Sequence, residues 1–294
     1  MAQASRRRSA SGEFELIAEL ARELAMPRAR AVEVGIGDDA AILRVGKERI
    51  AVSVDDQVEG VHFDLRWLNP SDVGYRALQA AASDLAAMGA TPLGAVASLH
   101  VPRGFSPAKL RQLARGQAQA ARELGCPVVG GNIARADVLS ITTTVLGRVA
   151  KPLLRSGARP GDSLWIIGEL GLSRAGLLLH QQRLKVPARL RAIAQRARQA
   201  WARPQALVDA GRKLQGRARA VIDVSDGLAG DVQHLADESR VRTVIEAARL
   251  AQLVSPELSE LGDLLGEPGV ALALKGGEDY ALLCAGPPTR RPPQ

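Results

Sequence analysis

Hydrophobic and polar positions along the chain follow two periods, one helical and one strand-like, which together predict an α/β protein. In the first half, apolar residues at helical spacing predict three helices, over 13–25, 69–89 and 106–125. Short or alternating apolar runs predict strands at 40–45, 49–54, 93–99, 128–129 and 139–149. After the first helix the order is β-β-α-β-α-β-β, so we expect an α/β unit that ends near Val149.

The second half begins with a segment rich in Arg, Gly and Pro at 155–162, which is typical of a loop. The elements predicted after it are strands at 163–167, 219–224, 241–246 and 280–284, helices at 228–239 and 257–265, and helical stretches up to 214 that break at Pro187 and Pro204. Neither 1–12 nor 286–294 carries an apolar face, so we expect a disordered arm and a loose tail. Between them we expect an N-terminal domain over 13–150 and a C-terminal domain over 151–285.

Composition restricts the class of protein. The 294 residues, of which 46% are hydrophobic, are enough for two domains with their own cores. No apolar run reaches the length of about 18 residues that a membrane helix needs, and MAQASRRRSASGE lacks the apolar centre of a secretory signal. Cys126 and Cys284 lie far apart and form neither a metal-binding spacing nor a disulfide framework. We therefore expect a cytoplasmic protein with no membrane partner.

The net charge of +8 raises the class of nucleic-acid-binding proteins, but the distribution of the charge argues against it. Basic residues are spread along the whole chain, and 33 of the 39 are Arg. Aromatic residues make up only 3% of the chain and do not alternate with the basic ones, as a single-strand binding platform would require. We therefore interpret the positive charge as a solvated surface and expect no nucleic-acid partner.

Acidic residues concentrate in stretches that lack basic neighbours, which is unusual in so basic a chain. The acids are Asp38 and Asp39 in GIGDDA, Asp55, Asp56, Glu59 and Asp64 in 50–64, Asp84 in a helix, Asp223, Asp226 and Asp231 in 220–239, and Glu278 and Asp279 in GGEDY. Three of these stretches place carboxylates in a turn after an apolar strand, where ligands bind in α/β folds. Adjacent carboxylates repel unless a cation is near, and oxygen ligands suit Mg²⁺, which commonly also holds phosphates. The sequence therefore predicts a divalent metal that serves a polyphosphate.

Taken one at a time, several of these acids also fit ordinary structural roles. An Asp after a strand is often a helix cap or a turn residue, and both Asp72 and Asp226 fit such a role well. Asp84 lies inside an Ala-rich helix where it has no cap to make, so its burial would require a partner. His62, beside the second acidic stretch, is the histidine we retain as a site candidate, whereas His180 and His234 are expected at the surface.

Two nucleotide-binding motifs can be set aside. GIGDDA formally matches G-x-G-x-x-A, but a strand follows it instead of a helix, and its two acids would repel a phosphate in the absence of metal. The sequence contains no G-x-x-x-x-G-K-[ST] segment, so a P-loop does not hold any nucleotide.

Taken in order, the motifs of the chain resemble those of the thiamine-monophosphate kinase family, within the ATP-binding superfamily that includes aminoimidazole ribonucleotide synthetase. The motifs are GEFELI, VGIGDDAAI, SVDDQVEGVHF, SDLAAMGA, VGGN, RSGARPGD, VIDVSDGL and GGEDY. The resemblance implies two α/β domains of the synthetase type, each with a mixed sheet and packed helices. It also implies ATP-dependent phosphorylation of thiamine monophosphate to thiamine diphosphate, with several Mg²⁺ ions, direct transfer and a homodimer built through the first domain.

The resemblance also implies roles for individual residues. The positions that match metal ligands are Asp39, Ser53, Val54, Asp55, Asp84, Asn132, Asp223 and Asp226. The positions that match nucleotide contacts are Gly131, Asn132, Arg155 and Ser225, and those near the thiamine phosphate are His62 and Glu278. No residue is assigned as a catalytic acid or base, because the phosphate acceptor is already ionised near neutral pH.

The chain departs from the family pattern at two places. Asn132 stands where the family has Asp, and after Cys284 the chain turns into GPPTRRPPQ where the family continues with a further strand and helix, so we expect a shortened C-terminal domain. These departures leave a non-catalytic nucleotide-binding homologue as the alternative. Three other members of the superfamily fit the sequence less well. Selenophosphate synthetase would require a reactive Cys near the N-terminus, and a hydrogenase-maturation protein would end in Cys, whereas the first cysteine here is Cys126 and the last residues are Pro-Pro-Gln. Aminoimidazole ribonucleotide synthetase has other loops in place of VGIGDDAAI.

Overall fold

The computed structural model describes residues 16–17, 19–24 and 30–289. Residues 16–17 and 19–23 are helical, in agreement with the apolar spacing, and the leucines at 16, 20 and 24 are exposed. The rest of the predicted 13–25 helix, the expected arm over 1–12 and residues 290–294 of the expected tail lie outside the described residues. Within the described part of the chain, no helix is both long enough and apolar enough to span a bilayer.

The first half of the chain folds around a mixed six-stranded sheet. Its elements are β1 Val32–Val34, β2 Ala41–Val45, β3 Glu48–Val58, α1 Pro70–Ala87, β4 Thr91–Val101, α2 Pro107–Leu124, β5 Val128–Arg135 and β6 Ser140–Arg148. The strand order is β1-β2-β3-β6-β4-β5, in which only the β4–β5 pairing is parallel. The predicted order is confirmed, with β1 as a short strand that the apolar pattern did not reveal.

Local sequence determines where the two long helices begin and end. The side chains of Asn69 and Ser106 accept hydrogen bonds from backbone N–H groups of the first turns, and a proline follows each of them. Gly125 ends α2 in the left-handed conformation at φ 61°. Most residues of α1 are buried, because α1 packs against the sheet, against α2 and against the second half of the chain.

The second half builds on a smaller sheet of three strands in the order β7-β9-β8, with both pairings antiparallel. Its elements are β7 Ser163–Ile167, α3 Leu172–Gln182, a 3-10 turn Ala188–Leu190, α4 Arg191–Ala202, α5 Val208–Lys213, β8 Ala220–Val224, α6 Leu228–Ser239, α7 Ala247–Leu253, α8 Pro256–Leu265, α9 Gly269–Lys275 and β9 Ala281–Gly286. The helices α3, α4, α6, α8 and α9 enclose the main core of this half. The other face of the sheet packs with Ala86 and Ala87 at the end of α1.

Five expectations from the sequence were wrong. His234 was expected at the surface but is half-buried on α6. Residues 241–246 pair with no strand in the described part of the chain, because the sheet ends at β7 and Val244 is exposed. His180 is half-buried between Trp67 and Trp201, with ring centroids at 6.1 and 5.1 Å, because their large apolar faces exclude water there. Neither acid that suited a cap is the capping residue, because Gly227 and Asn69 occupy those positions.

The crossing of α1 and α2 yields a prediction about stability. We expect Gly116→Ala to lower the free energy of unfolding by about 2–3 kcal/mol. A Cβ at Gly116 would lie 1.8 Å from the carbonyl oxygen of Ser71, so the helices would have to move apart. Urea unfolding measures the change. The matched control is Gly230→Ala in α6, where a Cβ meets nothing within 4 Å; that variant should gain at most about 1 kcal/mol. Equal unfolding midpoints for the two variants would contradict the expectation.

Candidate functional site

Three carboxylates from distant parts of the chain meet between the two halves. Asp39 precedes β2, Asp84 lies near the end of α1, and Asp223 lies in β8. Each offers one oxygen atom, and these atoms all lie within 4.8 Å of one another. We call this group the carboxylate triad.

Hydroxyl groups and one guanidinium hold the triad in place. Ser53 Oγ donates to Asp84 Oδ2, and Ser83 Oγ donates to Asp223 Oδ2 over 2.6 Å. Arg155 donates from Nε and Nη2 to Asp39 Oδ1, over 3.0 and 2.7 Å. The second oxygen of Asp39 is buried and has no hydrogen-bond partner among the described residues. A buried carboxylate oxygen without a donor costs free energy, and a bound cation would satisfy it.

The electrostatics of the triad also favour a cation. Burial raises the pKa of Asp39 to about 8, and the charge of Asp223 adds to the rise while Arg155 opposes it. Burial and the neighbouring carboxylates raise the pKa of Asp84 well above its ordinary value, and burial raises that of Asp223. Burial also raises the pKa of Asp55 to about 6. The set of oxygen donors and its excess negative charge fit a hard divalent ion such as Mg²⁺.

The turn that connects β8 to α6 carries further candidates. Ser225 is half-buried and Asp226 is exposed, both directly after Asp223. Asp231 in the first turn of α6 is buried, its Oδ2 has no hydrogen-bond partner among the described residues, and burial raises its pKa to about 8. The charges of Asp223 and Asp226 contribute to that rise.

Sequence reasoning did not assign Ser83, which binds Asp223, or Asp231 on α6, or Arg76, which binds Glu278. Asp231 shares the buried face of α6 with Leu228, Val232 and Leu235. A charged residue on an otherwise apolar helix face was therefore the sequence signal that could have indicated its burial.

The strand β3 places its predicted site residues on opposite faces of the sheet. Ser53 lies on the face that α1 covers, and Asp55, two positions later, shares that face. The intervening Val54 points to the other face, where its side chain is 60% exposed. The register pairs Asp56 with Thr142, Thr142 with Ser98, and Ser98 with Asn132. Asn132 therefore shares the exposed face with Val54 and lies apart from the triad.

Gly131 occupies the paired position on the covered face, beside Ala97. Its φ of 155° and the close approach to Ala97 both exclude a side chain, since a Cβ would lie 1.8 Å from the Ala97 carbonyl oxygen. The backbone of β5 therefore reaches β4 at this point without a side chain between them.

The two residues predicted to lie near the thiamine phosphate occupy different loops. His62 is half-buried, and its Nδ1 accepts a hydrogen bond from the backbone N–H of Val58 over 3.1 Å. Glu278 lies in the segment before β9, pairs with the buried Arg76, and donates its backbone N–H to the Ser225 carbonyl over 2.7 Å. The structure thus brings Glu278 to the β8–α6 turn, whereas no contact joins His62 to the triad among the described residues.

The raised pKa values predict how the metal-free protein responds to pH. In the folded chain Asp39 keeps a proton up to about pH 8, whereas in the unfolded chain it releases it near 3.8. Between about pH 4 and pH 8 the folded state therefore binds more protons than the unfolded state. The free energy of unfolding in EDTA should fall across this range and level off above about pH 8. Thermal unfolding at a series of pH values checks this. Added Mg²⁺ should reduce the fall, and a rise in the EDTA midpoint between pH 6 and 8.5 would contradict the prediction.

Comparison with known proteins places the chain in a family. Residues 37–149 match the family model of the AIR synthase related protein, N-terminal domain, and residues 159–273 match that of its C-terminal domain. The thiamine-monophosphate kinase of Mycobacterium tuberculosis is 35% identical over 274 residues, which cover 92% of this chain and 80% of that protein. The chain belongs to the thiamine-monophosphate kinase family. Another member, from Escherichia coli O157:H7, is 36% identical over 285 residues, which cover 96% of this chain and 85% of that kinase.

Solved structures agree with the family. The structure of AaThiL complexed with AMPPCP and TMP superposes with a TM-score of 0.86 at 34% identity, covering 95% of this chain and 86% of that one. The hydrogenase maturation protein HypE of E. coli has a TM-score of 0.61 at 20% identity, which shows a shared fold only. The resemblance inferred from the motifs and the expected two α/β units of the synthetase type are both confirmed.

Proposed function

We propose that this protein phosphorylates thiamine monophosphate to thiamine diphosphate with ATP as the phosphoryl donor. The carboxylate triad carries the proposal, because it gathers two buried acids and one partly buried acid at the junction of the two halves in a chain of the kinase family. Relatives over more than four-fifths of this chain bear the name thiamine-monophosphate kinase, and one solved relative binds an ATP analogue together with TMP.

Both reactants carry negative charge where they meet, so the protein must position them and offset their repulsion. Arg155 is the cation that binds Asp39 of the triad, and we expect its guanidinium to contact a phosphate oxygen of ATP when the nucleotide is bound. The acceptor phosphate is ionised near neutral pH, so no residue has to remove a proton from it. In this site the side chains bind and orient the reactants and do not act as acid or base.

The residues that would hold Mg²⁺ are Asp39, Asp84 and Asp223, with Ser53, Asp55 and Asp226 beside them. When bound, the ions would neutralise phosphate charge and bring the two anions together. Val54, which could serve only through its backbone carbonyl, and Asn132 are also proposed as ligand positions.

We also propose a homodimer formed through the N-terminal half, a domain that spans 13–150, with a C-terminal domain over 151–285. The edge strand β5 leaves Val129 and Ile133 71% and 67% exposed, and Val54 is exposed on the same sheet. Exposed apolar edge strands favour pairing with another chain. Light scattering after size exclusion measures the mass, and a monomer at micromolar concentration would overturn this part. We also propose that the protein works in the cytoplasm.

The test of the function is direct. Purified protein is incubated with ATP, Mg²⁺ and thiamine monophosphate, and thiamine diphosphate is quantified by chromatography. We expect thiamine diphosphate to form with Mg²⁺ present and none to form in EDTA. A second sample carries Asn132→Asp, which restores the carboxylate of the family pattern. Product from that variant alone would place the defect at Asn132, and binding of ATP without product from either would favour the non-catalytic alternative.

A further inference from the structure

A buried arginine joins the two halves of the protein beside the proposed site. Arg76 in α1 has no exposed side-chain surface. Its Nε donates to Gln57 Oε1 over 2.8 Å, Nη1 donates to the carbonyl oxygen of Trp201, and Nη2 donates to Glu278 Oε1. Its guanidinium therefore binds a residue of β3, the end of α4 and the segment before β9 at the same time.

Arg76 lies on the same face of α1 as other residues that contact the second half of the chain. Gln79, Ser83 and Asp84 follow at helical spacings of 3, 7 and 8 residues and therefore share its face. Gln79 accepts a hydrogen bond from the backbone N–H of Ala206, and Ser83 binds Asp223. One face of α1 thus holds the second half of the chain, with the triad at one end and Arg76 at the other.

Glu278 is held in an unusual backbone conformation. Its φ is 65°, and the φ of Tyr280 is 51°. Residues other than glycine rarely adopt this left-handed backbone conformation. Two backbone hydrogen bonds tie this segment to β8 and its turn, from Glu278 to Ser225 and from Tyr280 to Val224. The side chain of Glu278 remains 25% exposed although one of its oxygens binds Arg76. Strain of this kind persists where surrounding contacts impose it, and it commonly marks functional segments.

The geometry points to Arg76 as a positioning residue that fixes Glu278 for the binding of thiamine monophosphate, the acceptor of the phosphoryl group. This inference rests on the proposed kinase function, in which Glu278 lies near the thiamine phosphate. Three partners on different elements require the planar fork of arginine, which a lysine ammonium cannot reproduce. A carboxylate held by a buried guanidinium stays in one place, so binding of the acceptor loses less entropy in ordering the site.

A merely structural ion pair would have different consequences. Its loss would lower stability and would disturb the binding of both substrates to a similar degree. A positioning role predicts selective loss of affinity for the acceptor, since ATP is expected to contact Arg155 and Ser225 and not Glu278. The two roles can therefore be separated by comparing the two substrates.

The experiment uses the full chain with Arg76→Met, Arg76→Lys and Glu278→Gln. We expect Arg76→Met to raise the KM for thiamine monophosphate about 10- to 100-fold, the range for one charged hydrogen bond. The KM for ATP and kcat should change less than about 3-fold, and Arg76→Lys should lie between Arg76→Met and wild type. Glu278→Gln should raise the same KM, and adding it to Arg76→Met should have little further effect. The control, Arg49→Met, removes a surface ion pair with Glu33 and should change neither KM.

Titration calorimetry with thiamine monophosphate and, separately, with AMPPCP, each with Mg²⁺, gives the same comparison without turnover. If wild type binds thiamine monophosphate but forms no product, the kinase proposal fails while the affinities still test Arg76. If Arg76→Met does not fold, Arg76→Lys and Glu278→Gln carry the comparison. Equal rises in both KM values, additive effects in the double variant, or wild-type affinity in Arg76→Met would each overturn the inference. Absence of any binding of thiamine monophosphate to wild type would overturn both proposals.

Discussion

The Asp84→Asn protein is expected to lose Mg²⁺-dependent formation of thiamine diphosphate by a factor of about 100 to 1,000. Asp84 is the triad carboxylate that comes from inside a helix, and its charge lies within reach of Asp39, Asp55 and Asp223. An amide of the same size keeps an oxygen for Ser53 but removes the negative charge that a divalent ion requires. The initial rate of product formation at saturating ATP and Mg²⁺ measures the loss.

The same substitution should increase stability in the absence of metal. Asp84 shares a buried site with other carboxylates, so neutralising it removes repulsion and a desolvation cost. In EDTA the thermal midpoint of Asp84→Asn should therefore exceed that of wild type, whereas with Mg²⁺ the difference should shrink or reverse. The matched control is Asp209→Asn in α5, whose side chain is 88% exposed; it should change neither rate nor midpoint. Full activity in Asp84→Asn would contradict the metal-site interpretation.

In EDTA at about pH 9, where Asp39 has released its proton, the Arg155→Met protein is expected to lose about 3–5 kcal/mol of stability, because it leaves a buried charge without its partner. Asp39 has no exposed side-chain surface, and Arg155 is 20% exposed and holds it with two hydrogen bonds. The backbone N–H of Arg155 also binds Asp38, over 3.3 Å, and this contact remains in the variant. Thermal or urea unfolding in EDTA measures the loss.

Two conditions should restore part of that stability. Mg²⁺ should bind the uncompensated carboxylates and stabilise the folded state by mass action, and a lower pH should protonate Asp39. The KM for ATP should also rise about 10-fold or more if Arg155 contacts a phosphate oxygen. Arg212→Met removes an exposed pair with Asp209 and serves as the control, with an expected cost below about 0.5 kcal/mol. A loss in Arg155→Met no larger than in this control would show that Arg155 does not compensate Asp39.

The elements of the fold followed closely from local sequence signals. Asn69, Ser106 and Gly125 mark helix ends through hydrogen bonds and backbone conformations that depend on neighbouring residues only, and the structure confirms all three. The prediction of a strand over 241–246 was wrong because strand formation depends on more than neighbouring residues. The apolar content of this segment resembles a strand, but a strand also needs a partner, and β7 at the edge of the sheet does not pair with it.

The chemistry of the site was also visible in the sequence, through acidic stretches without basic neighbours and through motifs in a specific order. Their arrangement was not. The cation beside Asp38 and Asp39 is Arg155, 116 residues beyond Asp39 in the chain, and no local pattern could pair them. The sheet register likewise decides that Val54 and Asn132 lie on the face opposite Ser53.

The sequence by itself therefore determined which family the chain belongs to, where most helices and strands lie, and which residue types are available for phosphate chemistry. Only the tertiary structure decided that Asp39, Asp84 and Asp223 meet, that Ser83 and Arg155 hold two of them, and that Arg76 holds Glu278. The physical reason is that hydrogen bonds and caps within an element depend on residues a few positions apart. Contacts between elements depend instead on the packing of α1 against both sheets, which brings together side chains more than 100 residues apart.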